Sequence, residues 1–468
     1  MRKVILKAAA LALIVSLLAC AFAGCGKKDA TKDEEGRTIV SVGNWPAKSN
    51  PQYESMNERK TRFEKANPDV SIRPDEWTWD RKTFYAKAAG GQLPIVYQTG
   101  FTEMPEIISS EYSADISEVL SKHGFDGMLN EDILEVISKD GKVYALPNST
   151  YVLGLAFNTE LMKSAGLMEA DGTPKQPKDW NEVADFAVKI KKATGKPGIV
   201  FPSSGNYGGW MFMPVAWSFG VDFMEKDKDG KWQATFDTKE AVKALQYIKD
   251  LKWKYDVLPS TTLIDGTEYN KTFATGNAGM MIAAGDVPTK VFQYGMKPDH
   301  IGMMAMPAGP KRHVTLLGGG VYCINANATE DQIDAALRWL ETAISFETTE
   351  EFKTNTKNYL DQCVETNQLV GVKGMSMWSD KAESQAWSNK LVDDMANSNI
   401  NHVRLYNEFV ADCPADIQPE EPVCAQELYA VIDSLIQEVL TNKDADCAKL
   451  LKKANADFQS NYLDNLTY

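Results

Sequence analysis

Three observations predict an α/β fold with mainly parallel strand pairing. Short β-branched or apolar runs alternate with amphipathic helical stretches along nearly the whole chain, the pattern of strands joined by crossover helices. The 468 residues are 44% hydrophobic and 24% charged, which is ordinary globular composition. Beyond residue 23 no apolar run approaches the ~18 residues a membrane-crossing helix needs. No repeat of solenoid period is visible.

The first segment lies outside this alternation. Arg2, Lys3 and Lys7 form a basic head, an apolar run covers residues 8–23, and Phe22-Ala23-Gly24-Cys25 follows. That order reads as a secretory signal peptide over residues 1–24. The cysteine after small residues resembles the bacterial lipobox, with Phe22 where leucine is usual, so Cys25 is the expected lipidation site. Cys20, in Leu17-Leu18-Ala19-Cys20, fits more loosely. Residues 25–37 are polar, charged and aperiodic, and read as a flexible tether.

Order is expected to begin with the β-branched strand 38–42. A helix over 54–66 carries Met56, Phe63 and Ala66 on one side and stops at Asn67-Pro68, because proline disfavours helix before it. A strand at 70–72, a helix at 84–89, a strand at 94–97, helices at 104–109 and 116–123 and a strand at 143–146 ended by Pro147 follow. The second stretch repeats the pattern: strand 152–157, helix 161–165 closed by Gly166, helix 180–193 capped by Asp179, strand 199–201 and a buried helix at 211–219. Asp227-Lys228-Asp229-Gly230 reads as a hairpin turn. Its calcium-loop reading fails because Phe236 stands where the bidentate Glu should be. Helix 239–253 places Val242, Leu245, Ile248 and Leu251 on one face. Strands at 279–284 and 318–324, a helix at 332–346 and tail helices near 425–440 and 444–460 complete the reading.

Charge and rare residues exclude several functions. The formal net charge is −14; residues 1–24 hold three basic and no acidic groups, so their removal leaves −17. Nucleic-acid binding wants a basic stripe instead. Of seven cysteines, Cys323, Cys363, Cys413, Cys424 and Cys447 would remain beside Cys25. Their spacings match no zinc pattern, and most read as free thiols, with Cys413 and Cys424 the pair to test for a disulfide. The four histidines are far apart in sequence, so no metal site is expected. No nucleophile-elbow, zincin or phosphate-loop motif occurs.

Several motifs in order resemble a known family. They are Phe63-Glu64-Lys65-Ala66-Asn67-Pro68-Asp69-Val70, Gly141-Lys142-Val143-Tyr144-Ala145-Leu146-Pro147, Phe157-Asn158-Thr159-Glu160-Leu161 with Ala165-Gly166-Leu167, Pro177-Lys178-Asp179-Trp180 and Phe273-Ala274-Thr275-Gly276. Together they are similar to the extracellular solute-binding proteins of ABC importers, in the carbohydrate-binding group that includes maltose-binding protein. Pro94-Ile95-Val96-Tyr97 departs from the family's usual Pro-Asp-Val-Val. The resemblance implies the two-lobe, type II periplasmic-binding-protein-like fold with a ligand cleft between lobes, no cofactor, a monomer, and a membrane permease as partner. It places three hinge crossings near 147–151, 284–286 and 318–321, hence an N-terminal lobe of 38–148 and 286–318 and a C-terminal lobe of 149–285 and 319–468. Glycine suits a hinge because it absorbs backbone rotation at little steric cost.

A sugar site wants flat aromatics for ring faces and polar groups for hydroxyls. In an open α/β sheet such groups sit on loops at the carboxyl ends of strands. The expected ligand contacts are Asn44 and Trp45, Trp79, Gln98 and Phe101, Tyr151, Tyr207 and Trp210, Asp286, Gly319, and Trp378. Trp180, Trp232, Trp253 and Trp339 read as packing. The functions left open are sugar capture for import at the cell membrane, an extracellular glycan-acting enzyme, and a sensor subunit of a membrane receptor. Glu76 and Asp80 are the enzyme reading's conceivable carboxylates, though nothing pairs them.

Overall fold

A computed structural model describes residues 31–50 and 52–466. The signal segment, Cys20 and Cys25 lie outside them. Among the described residues no helix is long and apolar enough to cross a membrane.

One eight-stranded sheet runs through the molecule. Its strands are β1 (Thr38–Val42), β2 (Val70–Pro74), β3 (Val96–Gly100), β4 (Ala145–Asn158), β5 (Met280–Ala284), β6 (Ile301–Met304), β7 (Val314–Ile324) and β8 (Asp416–Gln418). The order is β6-β4-β7-β3-β1-β2, with β5 also on β4 and β8 on β7. Pairing is mixed, not mainly parallel. β1 runs parallel to β2 and β3, and β8 to β7, while β7 is antiparallel to both β3 and β4, and β4 to β5 and β6. The β4–β7 pair is antiparallel because these two strands pass between the lobes in opposite directions.

These two long strands explain both lobes. Residues 320–324 of β7 pair with β3, so this half completes the N-terminal sheet. Residues 153–158 of β4 pair with β5 and β6, and residues 314–316 of β7 with β8, completing the C-terminal sheet. The expected strands at 143–146 and 152–157 are largely one, and Pro147 lies inside it opposite Val321, where the register shifts and a ladder donor can be spared.

The pairings correct the expected lobe boundaries. After β5 the chain stays beside the C-terminal sheet through β6, so 286–318 does not return to the N-terminal lobe and no crossing occurs at 284–286. The helix Glu330–Glu341 packs on β1, with Gln332 Nε2 donating to the Ile39 carbonyl at 2.9 Å. The third connection follows later. Trp378 bridges Leu129 on the N-terminal side, and the Lys373 amide donates to Asn407 at 2.9 Å on the other. The expected strand at 199–201 is extended chain outside the sheet; the Val200 amide still donates to the Met280 carbonyl at 3.0 Å.

Helices close over the sheet as their apolar stripes require. Tyr53–Ala66 lies against Trp339, with the Arg59 guanidinium 4.1 Å from the indole centroid. On the other lobe Ala425–Thr441 packs against Tyr207–Phe219 and Lys239–Trp253. The expected tether does not extend over residues 31–37. Within 31–37 the Asp33 carboxylate accepts from the Glu35 and Arg37 amides at 3.0 and 2.9 Å, and the Ile39 amide donates to the Thr31 carbonyl at 2.9 Å. This turn is therefore part of the folded body.

Candidate functional site

The site is built outward from the paired hinge strands. Gly318, Gly319 and Gly320 of β7 face Tyr151, Thr150 and Ser149 of β4. None of the three glycines has a positive φ, so their role is space. A Cβ on Gly318 would lie 2.3 Å from the Tyr151 ring, and one on Gly319 would lie 2.3 Å from the Ser149 carbonyl and 2.8 Å from the Phe101 ring. Glycine thus lets Tyr151 fold across the hinge ribbon.

Tyr151 begins an aromatic wall. Its ring meets Trp210 edge-on at 6.4 Å, and Trp210 meets Tyr207 edge-on at 5.6 Å. Burial holds the Tyr151 hydroxyl well above its usual pKa, so it stays protonated. Trp210 and Tyr207 sit on the first turn of the helix Tyr207–Phe219, whose orphan amides need a partner. Asp433 supplies it from 220 residues further along the chain or more, accepting from the Asn206 and Gly209 amides at 2.7 and 2.8 Å. Its carboxylate complements the positive end of the helix, while burial raises its pKa. The wall ends at Asp286. Its Oδ2 pairs with Lys290 Nζ at 2.9 Å, and its buried Oδ1 has no protein partner. Burial opposes the Lys290 charge, but Asp286 outweighs it and holds the amine above its usual range. Tyr207, Trp210, Asp286 and Lys290 line one small pocket with Tyr269 and Asn270.

The N-terminal lobe faces this wall with the carboxyl ends of β1, β2 and β3. Asn44 follows β1 in a left-handed conformation (φ 57°), and its buried Oδ1 has no partner. Thr99 Oγ1, near the end of β3, and Trp79 Nε1, after β2, are likewise buried and unpartnered. Among the described residues nine buried side-chain polar atoms lack partners, and Asn44, Trp45, Trp79, Thr99 and Asp286 supply five of them. Buried polar atoms are rarely left so, and these five follow or close strands: Asn44 and Asp286 hold free acceptor oxygens, Thr99 a free hydroxyl, and Trp45 and Trp79 free indole donors.

The remaining expected contacts separate by burial. Trp45 is 3% exposed and stacks on Trp339 at 6.0 Å, and Trp378 is 4% exposed among Phe125 and Phe346. Both are core side chains. Trp79 packs with Trp77 against Phe84, the ring centroids 6.2 and 6.5 Å from it. Gln98 is half-buried and accepts from Asn148 at 3.4 Å, while Phe101 is buried under Gly319. Trp180 and Trp253 bond inward to Ser218 and the Val439 carbonyl, as packing residues do. All five described cysteines are free thiols, and no cluster of metal-ligating side chains occurs among the described residues.

Sequence reasoning missed a charged cluster between the lobes. Arg81 donates to Glu103 at 2.6 Å and to Glu106 at 3.2 Å within its own lobe, and to Glu427 at 3.0 Å across to the other. Thr102 donates to Glu420, which also accepts from the Tyr429 hydroxyl at 2.6 Å. No local spacing connects partners this distant in sequence.

Comparison with known proteins decides the family. The sequence pattern of the bacterial extracellular solute-binding proteins matches residues 47–349. The chain belongs to that family. It is 22% identical over 352 residues to the sn-glycerol-3-phosphate-binding periplasmic protein UgpB of Salmonella typhimurium, covering 72% of this chain and 77% of that one. Among solved structures it superposes on maltose-bound MalE3 of T. maritima with a TM-score of 0.65 at 19% identity, covering 90% and 99% of the two chains. The GacH receptor of Streptomyces glaucescens, solved unliganded and with acarbose, gives a TM-score of 0.67 at 16% identity over 92% and 99%. These likenesses establish the two-lobe fold of this solute-binding protein.

Proposed function

We propose that this solute-binding protein captures a sugar or oligosaccharide between its lobes and delivers it to the permease of an ABC importer. The observation that carries this reading is the Tyr151–Trp210–Tyr207 wall ending at the unpartnered Asp286 Oδ1. Aromatic faces suit the apolar faces of sugar rings, and a carboxylate oxygen accepts from their hydroxyls. Asn44 and Thr99 supply further polar groups from the opposite lobe. The solved relatives named above hold maltose and acarbose, which supports the same class.

A binding role requires that ligand favour one lobe arrangement over another. Titration calorimetry against neutral, acidic and amino oligosaccharides, with sn-glycerol-3-phosphate as the phosphate-bearing alternative suggested by UgpB, tests the reading. Heat from a sugar that vanishes in Trp210→Ala supports it. Binding of the phosphate ester alone overturns the sugar assignment, and turnover of a bound glycan would replace capture with catalysis. We place the protein at the outer face of the cell membrane through a lipid on Cys25; mass spectrometry of the mature N-terminus checks this against Cys20.

A further inference from the structure

The cluster around Arg81 joins two separate bodies. On one side stand Arg81, at the start of the helix Arg81–Ala89, and Thr102 and Glu103 in the turn Phe101–Glu103 after β3. On the other stand Glu420, in the loop after β8, and Glu427, in the first turn of the helix Ala425–Thr441. Near the site these sides are linked along the chain by the hinge ribbon of β4 and β7. We propose that these residues form a proton-operated clasp between the lobes, so that rotation about the hinge exchanges protons with solvent and ligand capture depends on pH.

The argument rests on a charge imbalance. One guanidinium serves Glu103, Glu106 and Glu427, and Glu420 stands close by with hydroxyl partners only. The other titratable groups against the cluster are Tyr85, Tyr151, Tyr429 and Cys424; the groove beside it is also lined by Glu135, Glu421, Lys139 and Lys226, but Arg81 is the cation that bonds the cluster's carboxylates. Glu103 is 3% exposed. Removing ionised carboxylates from water without a cation each is costly, and a proton relieves the cost. Burial accordingly lifts Glu103 to about 7 against the pull of Arg81, and raises Glu420 despite its two hydroxyl donors. A groove of about 750 Å3 lined by Arg81, Phe101, Thr102, Glu420 and Glu427 gives solvent access to the cluster.

The direction follows. With the lobes placed as here the cluster holds more protons than when rotation returns Glu420 to water. The clasped arrangement is therefore fully favoured at acid pH and loses that advantage as pH rises through the raised range in which the buried Glu420 gives up its proton. A ligand that holds this arrangement binds more tightly at lower pH and takes up protons on binding. The ligand's part rests on the preceding reading, but the clasp does not.

Small-angle X-ray scattering of the ligand-free protein between pH 5 and 8.5 separates the two. The expected result is a radius of gyration that increases with pH, with the ratio of clasped to separated forms changing at least ~10-fold. Glu420→Gln should remove most of that dependence. Glu427→Gln, at a partly exposed position, should favour the separated form at every pH. A radius independent of pH, or an unchanged pH response in folded Glu420→Gln protein, overturns the clasp. If Glu420→Gln does not fold, an unchanged radius in Glu427→Gln does so alone. Silence of every sugar in calorimetry would leave this scattering result untouched.

Discussion

At the level of single residues, the site depends on which aromatic rings the hinge leaves uncovered. Trp210 is only half-buried between Tyr151 and Tyr207. Trp210→Ala should lower ligand affinity ~10- to 100-fold by calorimetry, the loss of a central aromatic contact. Gly319→Ala should cost ~1–3 kcal/mol in denaturant unfolding, because the added methyl meets the Ser149 carbonyl at 2.3 Å. The sequence could not separate Trp210 from Trp45 or Trp378. All three sit on or beside loops and carry the same chemistry, and only Trp339, Phe125 and Phe346, brought in from elsewhere, decide that the latter two are core. Likewise nothing near Asn206 announces Asp433, because a helix cap supplied from another helix leaves no local spacing.

At the level of elements, local signals served where they were strong. Asp179 caps the helix Trp180–Thr194 as its position suggested, accepting from the Asn181 and Glu182 amides at 2.8 and 3.0 Å. Asp179→Ala should lower stability by ~1 kcal/mol in chemical unfolding. The helix Glu350–Glu365 escaped detection because only Phe352, Leu360 and Cys363 are buried along it, too few to print a stripe. The loop after β8 carries a pH effect of its own. Burial lifts Glu421 to about 7 although the Trp217 indole donates to it. Its protonated form is preferred in the folded state, so stability is greatest below the unfolded value of ~4.3 and falls as pH rises to the folded one. Glu421→Gln should flatten this slope, removing up to ~3 kcal/mol of pH dependence in urea unfolding at pH 5 against pH 8.

At the level of the whole molecule, β4 and β7 each belong to both lobes. Neither sheet is complete without its share of the two strands: 145–149 and 320–324 finish one, 153–158 and 314–317 the other. Motif order carried the two-lobe plan because each motif lies within one lobe. The boundaries were illegible because β6 follows β5 without leaving its lobe, a fact held in pairing rather than in composition. The shared ribbon also ties the two bodies into one cooperative unit. Frayed pairing at the glycines would expose open sheet edges on both sides at once, so neither lobe has an independent melting transition. Calorimetric and van't Hoff enthalpies should agree for a single peak. A ribosome emitting this chain cannot finish the first lobe before the strand at 314–324 has emerged, so the earliest residues must wait, unsealed, for more than half of the protein to be made.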